Sequence, residues 1–270
     1  MRETRESLRI GLSTSSVYPE STAAAFEFAK RLGYDGVEVM VGTDRVSADV
    51  EAVARISDYY QVPVMSVHAP CLLLTKRVWG TDPWDKLRNS VDAALRWGAT
   101  TVIVHPPFRW QRSYAYEFTR GIRELYEETG LMIAVENMYP WRGPGGVDLQ
   151  AYAPAWDPTD LDCDFLTLDL SHAATARQSS LDLVRAWGDR LCHVHLADGR
   201  GTHADEHLLP GEGNQHADLV LDELAARHFD GQVVVEVRTR AADDRDEREA
   251  LLATALEFAR KHLRPVDASA

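Results

Sequence analysis

The chain has 270 residues, a formal net charge of −13 and three cysteines. That length suits one α/β barrel, and no apolar run is long enough to cross a bilayer as a helix. The acidic balance disfavours nucleic acid as the main partner, because duplex binding is driven by phosphate neutralisation; Cys71, Cys163 and Cys192 form no CxxC pair, which speaks against a disulfide framework or a thiolate zinc site.

The first residues, MRETRESLR, lack the apolar segment of a signal peptide, so a cytoplasmic location is expected. LRIGLS, ending at Ser13, reads as the first strand, with a helix near 21–31. GVEVM at 36–40 is the second, followed by a helix from 48 to about 60. VPVMSVH at 62–68 is the third, with a helix over about 83–97. TTVIVH at 100–105 is the fourth, with a helix over about 114–129. LMIAVEN at 131–137 is the fifth, and FLTLD at 165–169 the sixth, with a helix around 181–187. LCHVHL at 191–196 is the seventh, with a helix around 217–228. QVVVEV at 232–237 is the eighth, with a final helix around 245–263.

Strands rich in β-branched residues and alternating with helices imply a parallel sheet with right-handed crossovers. Eight is the number that closes a barrel, so the expected fold is a single (β/α)8 TIM barrel forming one domain over residues 1–270, frayed at both ends. A doubly wound open sheet would more often carry a glycine-rich phosphate turn after the first strand, where this chain has STSSVYPE. Gly33, Gly98 and Gly130 each stand just past an expected helix, where a left-handed C-cap is wanted. The longest irregular segment, 138–164, contains Pro140, Pro144, Pro154 and Pro158, and follows the fifth strand on the face where such barrels place their sites.

Six apolar runs end in a residue able to bind a metal: His68, His105, Glu136, Asp169, His195 and Glu236. One such His alone is more often a hydrogen-bonded mouth residue. Six on separate strands of one closed barrel converge at its C-terminal mouth, which makes sense around a cation. Two groups extend the set. His172 lies three residues beyond Asp169, and the THADEHLLPGEGN loop supplies Asp205 and His207. His193, two residues before His195, points to the same side one layer deeper and reads as barrel interior, or as a ligand pair with His195. His203 and His216 flank the Asp205/His207 loop and are substitutes for it. Asp198 and Glu38 are read as groups that orient a ligand imidazole, or, for Glu38, that face a substrate.

These motifs (SVHAP, IVHPP, AVEN, LDLSH, HVHLAD, DEHLLPGEGN and VVVEV) together resemble the xylose isomerase-like TIM-barrel superfamily, which includes sugar isomerases and epimerases and the endonuclease IV group of abasic-site endonucleases. The resemblance spans essentially the whole chain. It implies one of two ligand sets. In the sugar enzymes one divalent metal, Zn2+ or Mn2+, is held by positions matching Glu136, Asp169, His195 and Glu236. In the endonuclease up to three Zn2+ are held by positions matching His68, His105, Glu136, Asp169, His172, His195, Asp205, His207 and Glu236.

Two mechanisms therefore stand. In the first, a sugar or sugar phosphate is isomerised or epimerised through an enediolate, with Glu136 and Glu236 passing the proton and His172 and Arg200 orienting hydroxyls or a phosphate. In the alternative, a trinuclear zinc site hydrolyses a phosphoester. His68, His105, Asp205 and His207 have an obvious task only there. Against the nuclease, the aromatic wedge expected three residues after His68 is replaced by Cys71 and Leu72, while Trp79, Trp84, Trp110 and Trp141 suit stacking on a sugar ring. A small-molecule sugar is the expected partner. A barrel that binds without turnover is the third reading.

Overall fold

All eight expected strands form. In the computed structural model, which describes residues 8–143, 145 and 147–263, they are β1 (Arg9–Ser13), β2 (Gly36–Met40), β3 (Val64–His68), β4 (Thr101–Val104), β5 (Met132–Glu136), β6 (Phe165–Asp169), β7 (Leu191–Leu196) and β8 (Gln232–Val235). Each pairs in parallel with its sequence neighbours, and β8 pairs with β1, closing the barrel. The tails expected to fray, and Pro144, lie outside the described residues.

The period-two alternation of the strands sorts two cores. One set of side chains, including Val37, Val39, Val102, Val104, Ile133, Val135, Leu166, Leu168, Val194 and Leu196, joins the apolar cluster beneath the helices. The alternate set is unusually polar and fully buried: Ser13, Glu38, Ser66, Thr101, Thr167 and His193 are each 0% exposed. These residues sit below the strand-end groups, so the barrel interior prepares a polar floor for them.

The helices are α1 (Thr22–Leu32), α2 (Val50–Tyr60), α3 (Pro83–Trp97), α4 (Arg112–Thr129), α5 (Leu170–Ala176), α6 (Ser180–Trp187), α7 (Ala217–Ala226) and α8 (Arg245–His262). Gly33, Gly98 and Gly130 cap α1, α3 and α4 at positive φ, as expected. Asp49, Asp82 and Asp244 accept backbone N–H bonds at the starts of α2, α3 and α8.

Two features differ from the sequence reading. Among the described residues no α-helix joins β5 to β6; the 138–164 segment instead forms a short antiparallel ribbon, Trp141–Arg142 against Asp148–Leu149. After β6 the chain enters the unexpected α5 at once, because the Asp169 side chain accepts the His172 backbone N–H at 2.8 Å and caps it. His172 is therefore a first-turn helix residue, not a loop residue.

Candidate functional site

The strand ends deliver their side chains to one mouth. His68, Glu136, Asp169 and His195 are within β3, β5, β6 and β7, and His105 and Glu236 stand one residue past β4 and β8. All six are buried. A cavity of about 590 Å³ opens above them. It is lined by eight of the nine expected positions, and the ninth, His195, lies in contact beneath.

Glu136 is the hub. Its Oε2 is 3.2 Å from His68 Nε2 and 3.1 Å from His105 Nε2, and its Oε1 is 2.9 Å from His195 Nδ1 and 3.4 Å from His172 Nδ1. His195 Nδ1 is also 3.1 Å from Glu236 Oε2 and 3.7 Å from Asp169 Oδ2. Three carboxylates thus crowd one imidazole nitrogen. A second group forms on the side of α5: Asp205 Oδ2 is 3.0 Å from His207 Nε2 and 3.4 Å from His172 Nε2, while Ser171 Oγ donates to Asp205 Oδ1 at 2.6 Å.

The geometry assigns the support of His195 to Glu38. Glu38 Oε1 is 2.9 Å from His195 Nε2, and Ser66 Oγ donates to Glu38 Oε2 at 2.7 Å. This leaves Nδ1 turned to the carboxylates, the arrangement in which a carboxylate orients an imidazole ligand. Asp198, expected to share that task, does something else. Its carboxylate accepts the backbone N–H groups of Gly199, Gly211 and Gln215, and so fixes the loop that carries Asp205 and His207. His193 is buried with both ring nitrogens lacking a hydrogen-bond partner; Nε2 is 3.0 Å from Glu38 Oε2 but out of line for a bond. His203 and His216 are exposed and do not line the cavity.

Arg200 and Trp141, expected to contact substrate, are both absent from the cavity lining. Arg200 is captured by Glu206 at 3.5 Å on an exposed loop. Trp141 packs beside Phe108 and Tyr152 in a separate small apolar cluster. The same long loop instead sends Met138 and Tyr139 to the cavity, the Tyr139 ring lying 5.1 Å from His172. Trp79 donates to the Ala48 carbonyl, and Trp84 packs edge-on to Tyr114, so both serve packing. Arg238 and Arg240 line the cavity and were not singled out from sequence. Their signal was their place two and four residues past Glu236, at the mouth end of β8. The three cysteines are free.

Burial pushes the Glu136 carboxyl up, but the imidazoles of His195, His172 and His105 outweigh it and hold it well below the usual range. Glu236 moves the other way: burial dominates, and its carboxyl is raised. Burial opposes charge on His172 and His195, yet the carboxylates around them raise both well above the ordinary value. The same balance raises His207 to about 10. Burial lowers His105.

The donor set suits a divalent cation of the zinc or manganese type. Imidazole and carboxylate donors fall into groups whose atoms lie within 4.8 Å of one another: His68, His105 and Glu136; Glu136, Asp169 and His195; Asp169, His172 and His207. Asp169 Oδ2 and His105 Nδ1 are buried without a hydrogen-bond partner. Each therefore has a lone pair or N–H not spent on a hydrogen bond, as an atom of a metal site would.

The sequence model of a xylose isomerase-like TIM barrel matches residues 26–262. An uncharacterised protein of Mycobacterium tuberculosis is 50% identical over 96% of this chain and 99% of its own. Fructoselysine 3-epimerase of Shigella flexneri is 21% identical over 80% of this chain and 84% of its own. Among solved structures, D-allulose 3-epimerase from Methylomonas sp. in complex with D-allulose is similar at a TM-score of 0.65 and 19% identity, covering 95% of this chain and 98% of that one. With that coverage, and with a closed eight-stranded parallel barrel bearing the site at its C-terminal mouth, the chain belongs to the xylose isomerase-like TIM-barrel family.

Proposed function

We propose that this protein is a divalent-metal-dependent enzyme that isomerises or epimerises a small sugar or sugar phosphate. Glu136, Asp169, His195 and Glu236 would hold one Zn2+ or Mn2+. When bound there, the cation would polarise a substrate carbonyl and acidify the neighbouring C–H.

The observation that carries this reading is the placement of Glu136 and Glu236. They come from separate strands, face one cavity of about 590 Å³, and approach the same His195 nitrogen at 2.9 and 3.1 Å. Two carboxylates facing one cavity are what a two-base proton transfer needs. One carboxylate takes the proton from the carbon beside the carbonyl, and the electron pair moves onto the carbonyl oxygen. The other carboxyl returns a proton to the opposite face of the same carbon, or to the former carbonyl carbon while the neighbouring hydroxyl proton passes to the former carbonyl oxygen. His172, held by the Asn137 carbonyl at 2.9 Å, presents its ring to the cavity to orient a hydroxyl. The volume falls in the range of small-molecule sites. The epimerases to which the chain is similar support the same class.

A second reading rests on its own observation. His68 with His105, and Asp205 with His207, complete donor groups that one metal does not need. A multinuclear phosphoester hydrolase would use them. Solvent deuterium wash-in to candidate ketoses and their phosphates, run beside cleavage of an abasic-site duplex, separates the two. The proposal expects wash-in without cleavage; cleavage without wash-in would replace it with the hydrolase.

A further inference from the structure

We propose that Arg238 and Arg240 form an anion subsite on the rim of the cavity, which takes a phosphate ester or carboxylate carried by the substrate away from its reacting carbons. This rests on the reading of the cavity as a sugar site and names the class of sugar it selects.

The segment after β8 is anchored at Thr239. Thr239 is buried, and its hydroxyl donates to the Ser16 carbonyl and accepts from Arg248 Nε. Arg238 and Arg240 flank it, just past the strand that leads to Glu236. Both are exposed and both line the cavity. Arg238 lies two residues from Glu236, about 7 Å along an extended chain. That offset sets the cations away from the proton-transfer carboxylates, beside the mouth.

Neither guanidinium pairs with a carboxylate among the described residues. Arg238 Nη2 donates only to the Asp205 carbonyl, at 2.7 Å, and Arg240 rests over the Tyr18 ring at 5.2 Å. A guanidinium stacked on an aromatic face keeps its N–H edge available for a planar, two-pronged contact with an oxyanion. The acids on the same rim are already committed. Glu20 pairs with Arg245 at 3.2 Å and Arg248 at 2.7 Å, and the Asp44 carboxylate accepts from Thr22 N, Thr22 Oγ1 and Val46 N. On a chain of net charge −13, Arg238 and Arg240 are thus two cavity-lining cations with no acidic partner of their own among the described residues. Arg200, the arginine that sequence context suggested for this task, is held by Glu206 outside the cavity.

The test is binding to the metal-loaded full chain by calorimetry, using a hexitol 6-phosphate, a hexonic acid and the plain hexitol. None of the three has an aldehyde or ketone, so none can turn over, and a failure of the isomerase reading leaves this measurement intact. Wild-type protein is expected to bind at least one of the anionic ligands about tenfold or more tighter than the plain hexitol, in line with charge-assisted bidentate contacts. The tighter of the two identifies phosphate or carboxylate as the group recognised. Arg240→Gln and Arg238→Gln should each shrink that ratio, Arg240→Lys should restore part of it, and added salt should weaken it in the wild type. Equal binding of all three ligands by the wild type, or an unchanged ratio in both folded glutamine variants, would overturn the subsite. So would an abasic duplex bound more tightly than the small anions, since the arginines would then serve a nucleic-acid backbone.

Discussion

Glu38→Gln should weaken zinc or manganese binding by about 10–100-fold, the usual cost of losing a carboxylate that orients a ligand imidazole. This is about 1.4–2.8 kcal/mol. The structure places the effect toward the upper end. Glu38 is 0% exposed, so no water can take over its bond to His195 Nε2 at 2.9 Å. The amide oxygen of Gln can still accept that bond, but the charge that makes Nδ1 a better donor is gone. The metal-free fold should survive. His195 retains Glu136 at 2.9 Å and Glu236 at 3.1 Å, so its charge is not stranded, and the stability loss should fall short of the about 3–5 kcal/mol that follows when a buried charge loses its only partner. Competition titration of zinc against a chelating dye reads the affinity, and melting of the metal-free proteins reads the stability. Wild-type affinity in both Glu38→Gln and Glu38→Ala would refute the role given to this residue.

Metal loading at pH 7 should release a proton, because His195 is held charged by its carboxylates until a cation replaces the proton. The calorimetric heat should then differ between buffers of different ionisation enthalpy, and affinity should rise with pH; buffer-independent heats would contradict this. His207 has a folded value near 10, raised above its unfolded one. Its contribution to stability is therefore fully present below about pH 6.5 and is lost as pH rises through 10. Metal-free protein should melt lower at pH 10.5 than at pH 7, with a smaller drop in His207→Ala. That same variant should keep most sugar wash-in activity, since one metal does not need His207, and should abolish any phosphoester hydrolysis.

The barrel was legible because its strands are short β-branched runs separated by capped helices, and glycines 33, 98 and 130 mark three helix ends. The six strand-end positions at the mouth were legible because a strand's last inward residue is fixed by period two once the barrel is assumed, and His172, Asp205 and His207 because LDLSH and DEH place further donors beyond two of those strands. The rest depended on contacts distant in sequence. Glu38 and His195 are 157 residues apart, and only barrel closure brings them together. Arg200 looked available until Glu206 folded back onto it, and Trp141 was decided by packing against Phe108 from another loop. The short α5 was missed because one side chain, Asp169, serves both as a strand end and as a helix cap.

The most direct measurement is the carbon-bound proton itself. Ketoses and ketose phosphates are incubated in D2O with metal-loaded protein, and deuterium is located by NMR. Label should enter at a single carbon next to the carbonyl, and Glu236→Gln should lose that incorporation even at metal concentrations high enough to load its weakened site. Absence of label from every ketose tried, with abasic-duplex cleavage in its place, would contradict the sugar-isomerase assignment.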